Sequence, residues 1–485
     1  MAGRNAARAD AARCRRPTGA ARPVHRLARA PFRYNRAFAF LAASSRMHRV
    51  VQGREVETTD LKSICNSALE PDMHLIRPFA GIRPASGRAA EVIAPPYDVL
   101  TSDEARARAA GKPWSFLHIS KPEIDLPAGI DPYAPQVYAK AAENLSLMLR
   151  EGILTRDPAR YYYAYRLIMG NHTQTGLVAA ASLAEYDTNR IRKHEHTQTD
   201  KENDRVRQID ALNAQTGPVM VAYPDAREAD DILASCSAGA PDADASSDDG
   251  VRHSLWVVRD AEIQARLTRA FDAMPALYIA DGHHRSAAAS RVAAARRTAN
   301  PRHTGEENYN HFLVVIFPHH QMQILDYNRV VAGLNGMDAG PFLARVRENF
   351  SVETSPTPVK PARPAEFGLY LAGQWYRLAI RRELVPASDP VARLDARLLS
   401  DHLLGPILGI EDLRRDKRID YVGGMRGLAE LEKRVNSGEM TAAFALHPTR
   451  MEDMMAVAEA GKVMPTKSTW FEPKLADGLV SHGLD

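Results

Sequence analysis

Cysteine is scarce in this chain. The three residues Cys14, Cys65 and Cys236 among 485 make neither a disulfide framework nor a thiolate metal spacing. A reducing, cytoplasmic setting is therefore expected. No apolar run approaches the ~20 residues of a membrane-spanning helix, and no internal repeat suggests a solenoid. Net positive charge is also missing from most of the chain. The formal charge is +4, but residues 1–50 hold twelve arginines, no lysine and one acid, Asp10, leaving −7 for the other 435 residues. With no basic stripe and no clear helix-turn-helix, a nucleic-acid surface is not expected. What remains, 45% hydrophobic and 25% charged residues, is the composition of a globular protein long enough for two or three cores.

Residues 1–72, rich in Ala and Arg, read as a disordered extension or a mis-assigned start, with Met47 and Met73 as alternative starts. An Arg-rich, acid-poor transit peptide is the alternative. From there the pattern is α+β, mixed sheets with flanking helices. We divide it into a core over 73–335 and a second α+β region over 336–485.

Within the core, Ala90–Ala94 and Trp114–Ile119 read as strands, and Thr101–Glu104 as a helix cap. Tyr138–Leu149 has a helical apolar face. Tyr161–Met169 and Thr175–Leu183 read as paired strands, the tyrosines forming a half-buried face. Residues 235–250 read as a surface loop. Asn310–Phe317 is the strongest buried-strand signal, and Gln323–Leu325 is expected to continue its sheet.

The chemistry concentrates at Pro275-Ala-Leu-Tyr-Ile-Ala-Asp-Gly-His-His-Arg285. A short apolar run stops at Asp281-Gly282, and an alanine-rich helix begins at once. The unpaired N–H groups and positive dipole end of such a helix attract anions. Gly282 permits close backbone approach, Arg285 can fork onto phosphate oxygens, and His283 and His284 can donate hydrogen bonds or move protons. No Walker lysine or G-x-G-x-x-G accompanies the motif. A tight turn with exposed polar residues is the bland alternative. A second polar stretch, Ile191–Arg205, carries His194, Glu195 and His196 as a base, an acid or metal ligands. A solvated loop is the alternative there. Asp98, beyond Pro95-Pro96, and Asn328-Arg329 are further pocket candidates, as are Lys467, Ser468 and Thr469 near the C-terminus.

Together Ile76–Pro84, Ala94–Asp98, Lys193–Glu195, Asp200-Lys201, Asn213–Pro218, Ala280–Arg285, Ile419–Gly427 and Lys467–Lys474 resemble a bacterial and archaeal family known as domain of unknown function 1015. The ADGHHR element further resembles the phosphate-binding loop of the ParB/sulfiredoxin superfamily, whose relatives include kinases of free L-serine. That resemblance implies a nucleotide-binding core in which Gly282, His284 and Arg285 hold phosphates and His283 assists. Sulfiredoxin's reactive cysteine has no counterpart, since His283 stands in its place.

The expected function is accordingly phosphoryl transfer from ATP or ADP, with Mg²⁺, to serine or a similar small hydroxyl compound. Glu195 is the expected base, Lys467 and Ser468 are additional phosphate ligands, and Asp281 or Asp98 would hold Mg²⁺. Two other readings are a non-catalytic ParB-like nucleotide- or DNA-binding regulator, and a metal-dependent hydrolase using His194, His196, His283 and His284. The oligomeric state is not legible.

Overall fold

The computed structural model describes residues 74–485, so the reading of residues 1–72 and of Met73 lies outside the described residues. Residues 74–485 belong to one compact unit, of mixed α+β architecture with several sheets. Among the described residues no helix is long and apolar enough to cross a membrane.

Nine strands form the main sheet: β1 (Ile76–Arg77), β2 (Tyr162–Met169), β3 (His172–Ser182), β4 (Ile191–Arg192), β5 (Val219–Tyr223), β6 (Ala243–Ser246), β7 (Arg252–Val258), β8 (Leu277–Asp281) and β9 (His311–Pro318). Their order is β4-β8-β5-β9-β3-β2-β7-β6, with β1 pairing on β3. Pairing is antiparallel except for β4 with β8 and β5 with β9, which are parallel.

Period-2 alternation sends Tyr162, Ala164, Val221, Ile279 and Val314 into one core. Tyr163, Tyr165, Met220, Tyr278 and Val315 enter the core on the other face. The tyrosine strand is thus buried on both faces, not half-buried as the sequence suggested: Tyr162, Tyr163 and Tyr165 are at most 1% exposed. Each phenolic oxygen has a partner, as burial requires. Tyr163, for example, donates to Asp157 at 2.9 Å.

A second sheet contains β10 (Tyr327–Val331), β11 (Phe350–Ser355), β12 (Glu366–Leu371), β13 (Gln374–Ile380), β14 (Ile419–Gly423) and β15 (Ala442–Leu446), in the order β11-β13-β12-β15-β10-β14. After it the chain returns to the first body. The helix Met451–Glu459 contributes Met454 and Val457 to the second face of the main sheet. Ser481–Gly483 is sandwiched between Gly81–Pro84 and Ala214–Gln215.

Several local readings change. Ala89–Val92 and Leu117–Ser120 are short helices, not strands. Their apolar residues pack in a separate helical cluster beside the sheet, and tertiary packing outweighs the strand-like run. Ala243–Ser246, read as loop, is an edge strand paired antiparallel with β7, where Arg252 and Ser254 also bond the Asp244 side chain. Gln323–Leu325 pairs with Trp470–Glu472 and not with the main sheet. The capping box at Thr101 and Glu104 is present as expected.

Candidate functional site

Two structural devices assemble the site. The first is the junction of β8 with helix α1 (His283–Ala299). Gly282 sits there at φ +105°, and no side chain caps the helix. A Cβ at that position would stand 3.2 Å from the Arg285 guanidinium and 3.3 Å from Val219 Cα. Gly282→Ala is therefore expected to lower stability by about 2 kcal/mol, through the left-handed backbone and the contact with Val219. Urea unfolding of the two proteins checks this. A register shift between Ile279 and Asp281 marks a bulge just before the turn, a device that re-aims a side chain.

The second device is the parallel pairing of β4 with β8. Leu277 lies opposite Ile191 and Tyr278 opposite Arg192, so the residues after both strands leave the same edge together. His194 and Glu195 consequently meet Asp281 and His283. The His194 N–H donates to His283 Nε2 at 3.4 Å, which leaves the ring proton on Nδ1. That nitrogen is 3.5 Å from Glu195 Oε2. The His194 and His283 rings stand edge to face, centroids 4.5 Å apart.

Burial keeps all three site imidazoles neutral. It lowers His194 to about 4 and His283 well below the usual histidine range, with His194 adding to the effect. His284 is lowered by burial and then by Lys201, and its Nε2 accepts from the Gln198 N–H at 3.0 Å. Glu195 moves the other way. Desolvation and then the Asp281 charge raise it, while Lys467 and Lys201 oppose them. Its side chain remains 47% exposed, so it is a reachable carboxylate with an elevated pKa.

Arg285 is buried and held by protein groups. It donates to the Pro218 carbonyl and lies 3.8 Å from Asp98 and 3.7 Å from Asp281. Burial opposes its charge, but those two carboxylates outweigh it and raise its pKa. Asp281 also pairs with Lys474 at 3.3 Å. Burial pushes Asp281 up, yet Lys474 and Arg285 together hold it below the ordinary carboxylate range.

Asp98 is placed by the neighbouring segment. Ala94 and Asp477 exchange backbone hydrogen bonds of 3.1 and 2.9 Å, and Asp98 follows on the turn Tyr97–Val99. The Tyr97 ring carries the Arg205 guanidinium 3.8 Å from its centroid.

Asp98, His194, Glu195, Asp281, Lys467 and Lys474 line one cavity of about 290 Å³. On its far side Asp98 also lines a hollow of about 260 Å³ with Tyr97, Lys201, Arg205 and His284. Lys467 stands at φ +60°. Its carbonyl accepts from Arg329 at 2.9 Å, which gives that buried arginine a loop-holding role. Asn328 bonds Asp326 and the Leu446 N–H. The Ser468 hydroxyl donates to Pro465 at 2.6 Å. His196 is exposed. Among the described residues His194, His196, His283 and His284 do not form a group of three donors close enough to share an ion.

Asp477 was not singled out from the sequence, which carries no signal for it. Burial raises its pKa to about 7, partly offset by Arg285, and its Oδ1 has no hydrogen-bond partner. The folded state therefore binds the extra proton between about pH 4 and 7, so this carboxyl costs stability as pH rises through that window. Asp477→Asn, neutral throughout, is expected to exceed the parent already by about 1.5 kcal/mol at pH 5, which lies above the unfolded-state pKa. At pH 8.5 it should exceed it by up to about 4 kcal/mol. Urea midpoints at the two pH values measure the difference.

The family described as "Protein of unknown function (DUF1015)" matches residues 76–397. The chain belongs to that family. Its DUF1015 match includes Asp98, Glu195 and Asp281–Arg285 and ends before Lys467 and Lys474, so the matched stretch is shorter than the motifs suggested. No curated protein matches the chain. Among solved structures, a free serine kinase in complex with AMP is 12% identical, with 62% of this DUF1015 chain and 92% of that chain covered and a TM-score of 0.32. A conserved hypothetical protein from Pyrococcus furiosus is 13% identical over 62% and 95%, TM-score 0.30. C-terminally truncated SbnI from Staphylococcus aureus is 9% identical over 62% and 85%, TM-score 0.34.

Proposed function

We propose that this site transfers a phosphoryl group from ATP or ADP to a small hydroxyl metabolite, free L-serine being the first candidate. The observation that carries the reading is the meeting of Glu195 with the uncapped start of α1 through His283, at 3.5 Å. Glu195 and Asp281, the last residue of the strand that leads into α1, line one cavity, which supports pairing a base for the acceptor hydroxyl with a helix start suited to phosphate. In this ParB/sulfiredoxin-like reading Gly282 and the first backbone N–H groups of α1 receive the phosphates. Arg285, His284 and Lys467 supply the surrounding donors, while the Ser468 hydroxyl proton is already given to Pro465. Lys467 and Lys474 line the cavity and add positive charge where phosphate charge must be neutralised.

Asp98 and Asp281 are carboxylates of the kind Mg²⁺ prefers, and both approach the same guanidinium. They are its proposed holders, and a bound Mg²⁺ would neutralise phosphate charge. Glu195, raised by burial and by Asp281, takes the hydroxyl proton, with the neutral His283 ring beside it. We assign the chemistry to a core over 73–335, with the region 336–485 lending Lys467 and Lys474.

Purified protein incubated with free serine, Mg²⁺ and either ATP or ADP should form phosphoserine. Absence of product together with absence of nucleotide binding by calorimetry sinks the proposal. Salt-sensitive retention of DNA without turnover would favour the regulator reading instead.

A further inference from the structure

A second cluster of chemistry lies at the other end of strand β5. β5 and β9 run parallel, with Pro318 opposite Tyr223, so the residues that follow both strands emerge side by side. Asp225 comes two positions after β5. His319 and His320 follow β9 at once, on the short turn His319–Gln321. Both imidazoles face one carboxylate oxygen: Asp225 Oδ1 is 3.7 Å from His319 Nδ1 and 3.6 Å from His320 Nδ1. All three donor atoms fall within 4.8 Å of one another.

Two imidazoles and a carboxylate bonded at 2.0–2.2 Å around a tetrahedral ion stand about 3.3 Å apart. The cluster is thus a few tenths of an ångström wider than a loaded site along its two His–Asp edges. A second observation points the same way. His319 Nδ1 is shielded from solvent and has no hydrogen-bond partner, an unfavourable state for a ring nitrogen unless something binds it. The two rings are perpendicular, centroids 5.7 Å apart.

We propose that Asp225, His319 and His320 bind one divalent late first-row transition ion, of the zinc class. The donor set decides the class. Two nitrogens disfavour Mg²⁺ and Ca²⁺, and without thiolate the site is not one for Cu(I). Asp225 is 86% exposed, so the ion would be reached from solvent and keep a position for water. Tyr223, Pro318 and Gln321, neighbours of the three ligands in the chain, line a cavity of about 570 Å³ that also receives Arg166. The site is independent of the phosphoryl-transfer proposal. Pro218, which anchors Arg285, lies seven residues before Asp225, roughly 20 Å along an extended chain.

The test is titration of the full chain, stripped with EDTA, by Co²⁺ followed in visible absorption and then by Zn²⁺ in competition with a chromophoric chelator. One equivalent of Co²⁺ should bind, give the d–d absorption of a low-coordinate site and be displaced by Zn²⁺. Asp225→Ala and His320→Ala should each weaken binding at least tenfold with unchanged circular dichroism, whereas His196→Ala should not. No stoichiometric uptake, or a loss smaller than tenfold in either ligand variant, overturns the assignment, as does an equal loss in His196→Ala.

Discussion

Glu195→Gln is expected to reduce phosphoserine formation by about 10²–10⁴-fold, the range of a positioned general base. The isosteric amide cannot accept the hydroxyl proton, while its size preserves the neighbourhood of His283. KM for the nucleotide should change little, because Glu195 is assigned to the acceptor and not to phosphate. The pH profile adds a separate readout. The base works when deprotonated, so the rate should rise with pH along a limb lying above the ordinary glutamate range, since burial and Asp281 raise this carboxyl. Lys467 lowers it, so removing that charge in Lys467→Met raises the pKa further and moves the limb to higher pH. A Glu195→Gln enzyme with full turnover would end the assignment. A limb unmoved in Lys467→Met would show that the two groups do not face one another in solution.

Arg285→Met should cost about 2–4 kcal/mol of stability. Removing one member of a buried ion pair typically costs 3–5 kcal/mol. The cost is shifted about 1 kcal/mol below that span because Asp98 is 41% and Asp281 32% exposed, and Lys474 still faces Asp281. The variant also leaves the Pro218 carbonyl without its donor. Arg285→Lys keeps a charge but loses the planar fork, so it should recover part of the stability and bind nucleotide about tenfold more weakly. Equilibrium unfolding and calorimetry separate the two effects. A methionine variant within about 0.5 kcal/mol of the parent would contradict the role given to this arginine.

The strand–turn–helix at Asp281–Arg285 was legible because its signals are local: an apolar run, a glycine and a run of alanines. The hairpin Tyr162–Ser182 was equally plain, since period-2 alternation and a glycine turn are written in neighbouring residues. Ala89–Val92 and Leu117–Ser120 were misread because four-residue helices have too few turns to display a period. The tyrosine strand was misread on burial, which depends on what covers its second face. Lys474 lay within a recognised stretch, but nothing local tied it to Asp281, 193 residues away. Asp477 gave no sign at all.

The sequence by itself determined the strand–turn–helix near residue 282 and that the body is mildly acidic α+β. It could not determine which distant residues join them. Parallel pairing of β4 with β8 brought Glu195 to His283, and return of the C-terminal segment brought Lys467 and Lys474 into the same cavity. The parallel β5 and β9 likewise joined Asp225 to His319 and His320. Parallel strands are connected through long crossovers, so their neighbours are set by the packing of the whole sheet and leave no short-range pattern in the chain.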